Sequence, residues 1–135
     1  MKVGFIGLGN VGGKLASSLL RNKFDLTVRD LDSNLTKDFK NKGAKIASSP
    51  KELAEQVDLI ITCLPSPKIC AKVMEAEDGV ISGLSKNKIW LEMSTTDESE
   101  IKRLGKLVTN KKSIALDGPV SGGCHRAATG NIAIF

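Results

Sequence analysis

The sequence predicts an α/β fold: a doubly wound, mainly parallel sheet with helices on both faces. Three observations carry this. Short apolar runs alternate with amphipathic stretches of about ten to fifteen residues, the pattern of βαβ units. One run, residues 57–64, is apolar at nearly every position, which suits a strand in the middle of a parallel sheet covered by helices on each side. A glycine-rich turn links the first apolar run to the first helical stretch. Right-handed crossovers then distribute the helices over both faces.

Residues 2–7 read as a strand ended by glycine. Residues 10–23 read as a helix, with Val11, Leu15 and Leu19 on one face beside Ala16 and Leu20. Residues 24–30 form the second strand, and Asp32 and Ser33 suit the cap of a helix that runs to Lys42 and stops at Gly43. Residues 44–47 make a short third strand. Ser49 reads as an N-cap, with Pro50 at the first helical position and Glu52 placed for a capping box. The strand at 57–64 is broken by Pro65 and Pro67, and residues 68–76 are helical in pattern. Asp78, Gly79 and Gly83 mark turns. Residues 89–93 are a strand containing Trp90, and Asp97 opens a helix with Ile101, Leu104 and Val108 on one side. A strand at 113–117, a glycine-rich bend and a last strand at 132–135 complete the chain. The last apolar run reaches Phe135, and the sequence is expected to be the front part of a longer protein.

Composition bounds the function. Among 135 residues, 41% are hydrophobic and 26% charged, which is globular rather than disordered. No apolar run approaches the ~20 residues of a membrane-spanning helix, so no membrane partner is expected. Met1 leads directly into a strand, without the charged and apolar regions of a signal peptide, and the expected location is the cytoplasm. Cys63, Cys70 and Cys124 form no CxxC pair and His125 is the only histidine, so no zinc site and no other metal is expected and the thiols read as reduced. The net charge of +5 is spread along the chain, densest at 37–45 and 102–112, and reads as a solvated surface with mild attraction for anions. With no tyrosine and 4% aromatics, base-stacking platforms are scarce and nucleic acid is not an expected partner.

The turn after the first strand is Gly7, Leu8, Gly9, Asn10, Val11, Gly12, a GxGxxG. It stands between a strand and an amphipathic helix, as in a Rossmann-type nucleotide-binding unit. Gly7 permits the tight turn, Gly9 lets the backbone approach a pyrophosphate, and Gly12 lets the helix pack close to the strand. The first helical N–H groups then face the phosphates. A plain glycine-rich turn is the competing reading. Asp30 lies 18 residues after Gly12, near the offset of about 20 for a ribose-binding acid. A carboxylate there accepts from both ribose hydroxyls and repels a 2′-phosphate, which favours NAD. Arg29 and Lys37 keep NADP possible, Asp32 is a rival for the same role, and Asp30 also suits a turn or cap.

Further along, Leu64 and Pro65 end the central strand, where they either line the cleft or simply terminate the strand. Ser94, Thr95 and Thr96 follow the next strand; a hydroxyl there reaches the ligand or, at Thr96, caps the following helix. The segment Asp117, Gly118, Pro119, Val120, Ser121, Gly122, Gly123 follows a strand too. The Ser121 hydroxyl and the unshielded amides of Gly122 and Gly123 suit a carboxylate, as backbone nests do, unless the segment is only a flexible turn. His125 and Arg126 either assist that anion or lie on the surface.

These motifs, in this order, resemble the amino-terminal part of the β-hydroxyacid dehydrogenases, the group of 3-hydroxyisobutyrate dehydrogenase and tartronate semialdehyde reductase. The stretch 5–16 is similar to the family's opening signature, with Val11 and Leu15 where methionine is usual and Ser18 where asparagine is common. Leu64 and Pro65 match its cofactor-contacting pair. Glu92, Met93, Ser94 and Thr95 match its Asp-x-Ser-Thr segment, with Thr95 at the cofactor-contacting position. Residues 117–123 match its substrate-binding signature, with Gly118 in the place of alanine, and Ala127 and Gly130 continue it.

The resemblance implies an NAD(P)-binding Rossmann domain over 1–135, incomplete at its C-terminal end, with an all-helical domain and the catalytic lysine expected beyond residue 135. It implies an oxidoreductase that moves a hydride between a nicotinamide cofactor and a small 3-hydroxy or 2-hydroxy acid, with Ser121, Gly122 and Gly123 as substrate anchor and a homo-oligomer in the full-length form. The alternative is a non-catalytic dinucleotide-binding or sensing module.

Overall fold

The computed structural model describes residues 1–135. Strand β1 (Lys2–Ile6) leads into helix α1 (Gly12–Arg21), then β2 (Asp25–Arg29), α2 (Ser33–Asn41), β3 (Lys45–Ile46) and α3 (Pro50–Gln56). The second half runs β4 (Leu59–Thr62), α4 (Pro67–Glu75), α5 (Val80–Gly83), β5 (Ile89–Glu92), α6 (Glu98–Asn110) and β6 (Ile114–Asp117). A short tail follows: β7 (Val120–Ser121), α7 (Gly123–Thr129) and β8 (Ala133–Ile134). The six main strands lie in the order β3-β2-β1-β4-β5-β6 and all pair in parallel. This is the doubly wound order of a Rossmann sheet.

Alternation along the strands sorts the core into two layers. Ile60 and Trp90 join Leu53, Ala54, Cys70, Met74, Leu104 and Val108 from α3, α4 and α6 on one face. Val3, Phe5 and Ile61 join Leu15, Ala16, Phe39 and Ala127 from α1, α2 and α7 on the other. Neighbouring Ile60 and Ile61 thus serve opposite layers, which is why residues 57–64 are apolar throughout.

Three helices, α2, α3 and α4, start on a side-chain cap. Asp32 caps α2 by accepting from the Asn34 amide at 2.9 Å, and Ser66 caps α4 by accepting from the Ile69 amide at 3.2 Å. Such caps are each worth about 1 kcal/mol. Ser49 caps α3, accepting from the Glu52 amide at 3.0 Å. The other half of the expected capping box forms one residue upstream: Glu52 Oε2 accepts from the Ser48 amide at 2.6 Å and from the Ser48 hydroxyl.

Three expectations change. The turn around 79–83 contains the four-residue helix α5. The glycine-rich bend contains α7, which packs on α1 through buried Ala127 and receives a bond from Arg21 Nη2 to the Ala128 carbonyl at 2.7 Å. The expected last strand forms as β8, which pairs antiparallel with β7 in a separate two-stranded piece. The helix after Asp97 has no side-chain cap, so neither Thr96 nor Asp97 serves that role. No helix is long and apolar enough to cross a membrane.

Candidate functional site

In a parallel sheet all strands end at one edge. Here the connection after β1 leads to one face and that after β4 to the other, so a crevice opens between the two strand ends. The glycine turn, Asp30, the Leu64–Pro65 stretch and the Ser94–Thr95 stretch all follow strands at this edge.

The three glycines of the turn differ in why they are glycine. Gly7 has φ +101°, and a Cβ there would lie 2.2 Å from the Cys63 carbonyl oxygen. A Cβ on Gly12 would lie 2.0 Å from the Gly7 carbonyl oxygen, so the start of α1 touches the end of β1 backbone to backbone. A Cβ on Gly9 would meet nothing within 4 Å. Gly7 and Gly12 are therefore required by the fold, and Gly9 faces open space. The N–H groups of Gly9, Asn10, Val11 and Gly12 have no acceptor in the chain, and no side chain caps α1. They form a cluster of unpaired donors at the positive end of a ten-residue helix.

Asp30 closes over this turn. Its Oδ2 accepts from the Leu8 amide at 2.7 Å and its Oδ1 from the Asp32 amide at 2.8 Å. The turn role considered from sequence is thus real, and each oxygen keeps a second lone pair. Asp32, the rival, is committed to capping α2. The Glu52 carboxyl is held below its usual range chiefly by the Ser48 hydrogen bonds, with smaller pulls from Gln56 and Arg29.

Under the other side of the crevice lies a buried network that sequence reading did not pick out. Glu92, fully buried, accepts from Thr62 Oγ1 at 2.8 Å, Cys70 Sγ at 2.7 Å and the Ser94 amide at 2.6 Å. Trp90 Nε1 donates to Thr62 Oγ1 at 2.9 Å, and the Leu64 amide donates to Ser94 Oγ at 2.6 Å. The signals were a glutamate and a threonine inside otherwise apolar strands and the match of residues 92–95 to the family's Asp-x-Ser-Thr segment, which named Glu92 and Ser94 without their bonds. Burial, and secondarily Glu92, push the Cys63 thiol up to about 11 and raise Cys70 further, so neither is a nucleophile near neutral pH. Pro65 and Thr95 are exposed and Leu64 is half-buried.

Ser121, Gly122 and Gly123 are exposed where the tail turns back from edge strand β6 towards α1. Gly122 and Gly123 both have positive φ, +124° and +70°, and their amides have no acceptor in the chain. Arg126 lays its aliphatic stem against Gly122, and His125 is exposed. No group of three or more His, Cys, Asp or Glu side chains is arranged to hold a metal ion.

A family model described as the NAD binding domain of 6-phosphogluconate dehydrogenase matches residues 2–135. Mitochondrial 3-hydroxyisobutyrate dehydrogenase of Mus musculus is 39% identical over 130 residues, which make up 96% of this chain and 39% of that enzyme. The Homo sapiens enzyme is 35% identical over the same shares of both chains. The crystal structure of 3-hydroxyisobutyrate dehydrogenase from Salmonella typhimurium superposes with a TM-score of 0.91 at 27% identity, covering 99% of this chain and 47% of that one. The chain spans about two fifths of the length of these mouse and human relatives.

The cytoplasmic expectation is overturned, because the mouse and human relatives are mitochondrial. Its error was physical: sorting is read from short targeting segments, while a nucleotide-binding fold looks the same in either compartment. On the match along nearly its whole length, the chain belongs to the family of the NAD-binding domain of 6-phosphogluconate dehydrogenase, and is a nicotinamide-dinucleotide-binding Rossmann domain of the β-hydroxyacid dehydrogenases.

Proposed function

We propose that this domain binds NAD along the β1/β4 crevice and presents it to a small 3-hydroxy or 2-hydroxy acid, as the nucleotide-binding part of a dehydrogenase. One observation carries the reading: four unpaired amides, Gly9 to Gly12, at the head of α1 beside a carboxylate with free lone pairs. Those amides suit diphosphate oxygens, and the open space at Gly9 leaves room for them. Gly7, Leu8 and Val11 shape that cradle. The free lone pairs of Asp30 accept from the ribose hydroxyls, and its charge disfavours a 2′-phosphate, so NAD is preferred over NADP. Leu64 and Pro65 line the far wall, and the exposed Thr95 hydroxyl donates from beside it. The Ser121 hydroxyl and the Gly122 and Gly123 amides hold the substrate carboxylate.

The bound nicotinamide supplies the hydride acceptor or donor. The residues here bind and orient; none of their lysines falls on the family's catalytic motif. The general acid–base lysine and the helical domain that completes the pocket are assigned to sequence beyond residue 135, as is the surface through which full-length copies associate. Partners are the cofactor and a small hydroxy acid, with no role for nucleic acid or a membrane.

Titration of both nucleotides into wild-type and Asp30→Ala chains tests this. The wild type is expected to prefer NAD at least tenfold, and Asp30→Ala to lose that preference. The variant should also lose about 2 kcal/mol of stability, because the Leu8 and Asp32 amides lose a charged acceptor. A wild-type preference for NADP would overturn the cofactor assignment. Hydroxy-acid turnover by the 135-residue chain would overturn the placement of the lysine.

A further inference from the structure

We infer that Glu92 is a positioning residue for the cofactor crevice: its buried carboxylate locks the loop after β4 to the loop after β5. The inference rests on reading the crevice as the NAD site. Glu92 is 0% exposed and makes no ion pair. Burying an unpaired carboxylate is costly, and it is tolerated only when its lone pairs are met. All three hydrogen-bond partners of its carboxyl donate. Thr62 Oγ1 already accepts from Trp90 Nε1, so its proton faces Glu92; the Ser94 amide and the Cys70 thiol complete the set. The pocket is lined with donors and so is built for an acceptor.

The direction of these bonds gives the role. Thr62 and Glu92 are register partners at the ends of adjacent strands. The last ladder bond between these strands runs from the Met93 amide to the Thr62 carbonyl at 2.9 Å. Beyond it the two loops are joined only through side chains: Glu92 holds the Ser94 amide, and Ser94 Oγ holds the Leu64 amide. One carboxylate thus sets where Leu64 and Pro65 stand relative to Thr95. Hydride transfer is sensitive to misplacements of ~1 Å, so a loop-to-loop brace acts on binding and orientation as well as on folding.

The test uses the 135-residue chain and NAD. In Glu92→Gln, an amide of the same size brings two protons to a site lined with donors. The Leu64 and Ser94 amide resonances and the Trp90 indole N–H resonance in nitrogen-15 spectra are expected to shift, and the Kd for NAD to rise tenfold or more. Ser94→Ala leaves Glu92 all three donors and removes only the acceptor of the Leu64 amide. It is expected to fold and to weaken NAD by a similar factor. A residue that merely stabilises would lower the melting temperature and leave the Kd of the folded chain unchanged. A Kd within twofold of wild type in folded Glu92→Gln or in Ser94→Ala overturns the role of Glu92. A wild-type chain that does not bind NAD overturns the reading of the crevice instead.

Discussion

Gly12→Ala is expected to destabilise the domain by about 4 kcal/mol, the exceptional end of single-substitution effects. The new methyl carbon would sit 2.0 Å from the Gly7 carbonyl oxygen, over 1 Å inside the ~3.3 Å of a close carbon–oxygen contact. Both sides of this clash are backbone, so no side-chain rotation relieves it. Relief requires α1 to move off the sheet, and α1 buries Leu15 and Ala16 in the core it shares with Phe5 and Val28. Small domains hold only about 5–15 kcal/mol in total, so the variant should show a much lower urea midpoint. A loss below about 1 kcal/mol would mean that α1 is free to shift and that the close approach does not govern the turn.

Gly9→Ala is expected to behave in the opposite way. A Cβ there meets nothing within 4 Å, and the backbone is not left-handed, so stability should stay within about 0.5 kcal/mol of wild type. The methyl group instead enters the space assigned to the diphosphate. NAD affinity should fall at least tenfold, about 1.4 kcal/mol, by calorimetric titration. Equal affinity in wild type and variant would place the nucleotide elsewhere. The two variants, three positions apart in one turn, separate what the fold needs from what the ligand needs.

The alternation of strands and helices was legible because buried strands and amphipathic helices repeat with different periods. The steric tasks of Gly7 and Gly12 were legible because the motif's spacing implies them, while the task of Gly9 belongs to the proposed nucleotide. Asp30 was only half legible: ribose binding and turn formation were weighed as alternatives, while the carboxylate has lone pairs enough to bond two amides and still face the crevice. Helix α7 was hidden because its seven residues bury only Ala127 and so show no apolar period; it forms because α1 offers a surface. The Glu92 network could not be read from sequence, since Thr62 and Glu92 become neighbours only once the parallel register is fixed.

The strand order bears on synthesis at the ribosome. β1 lies in the middle of the sheet but emerges first, and its two neighbours arrive far apart: β2 by residue 29, β4 only after residue 58. In between, the nascent chain carries a three-stranded half-sheet with one bare central edge, a template for wrong pairing. The arrival of β4 closes that edge. The β1/β4 crevice is therefore the seam between the half translated early and the half translated late, and a pause in translation before β4 would leave the bare edge of β1 unprotected.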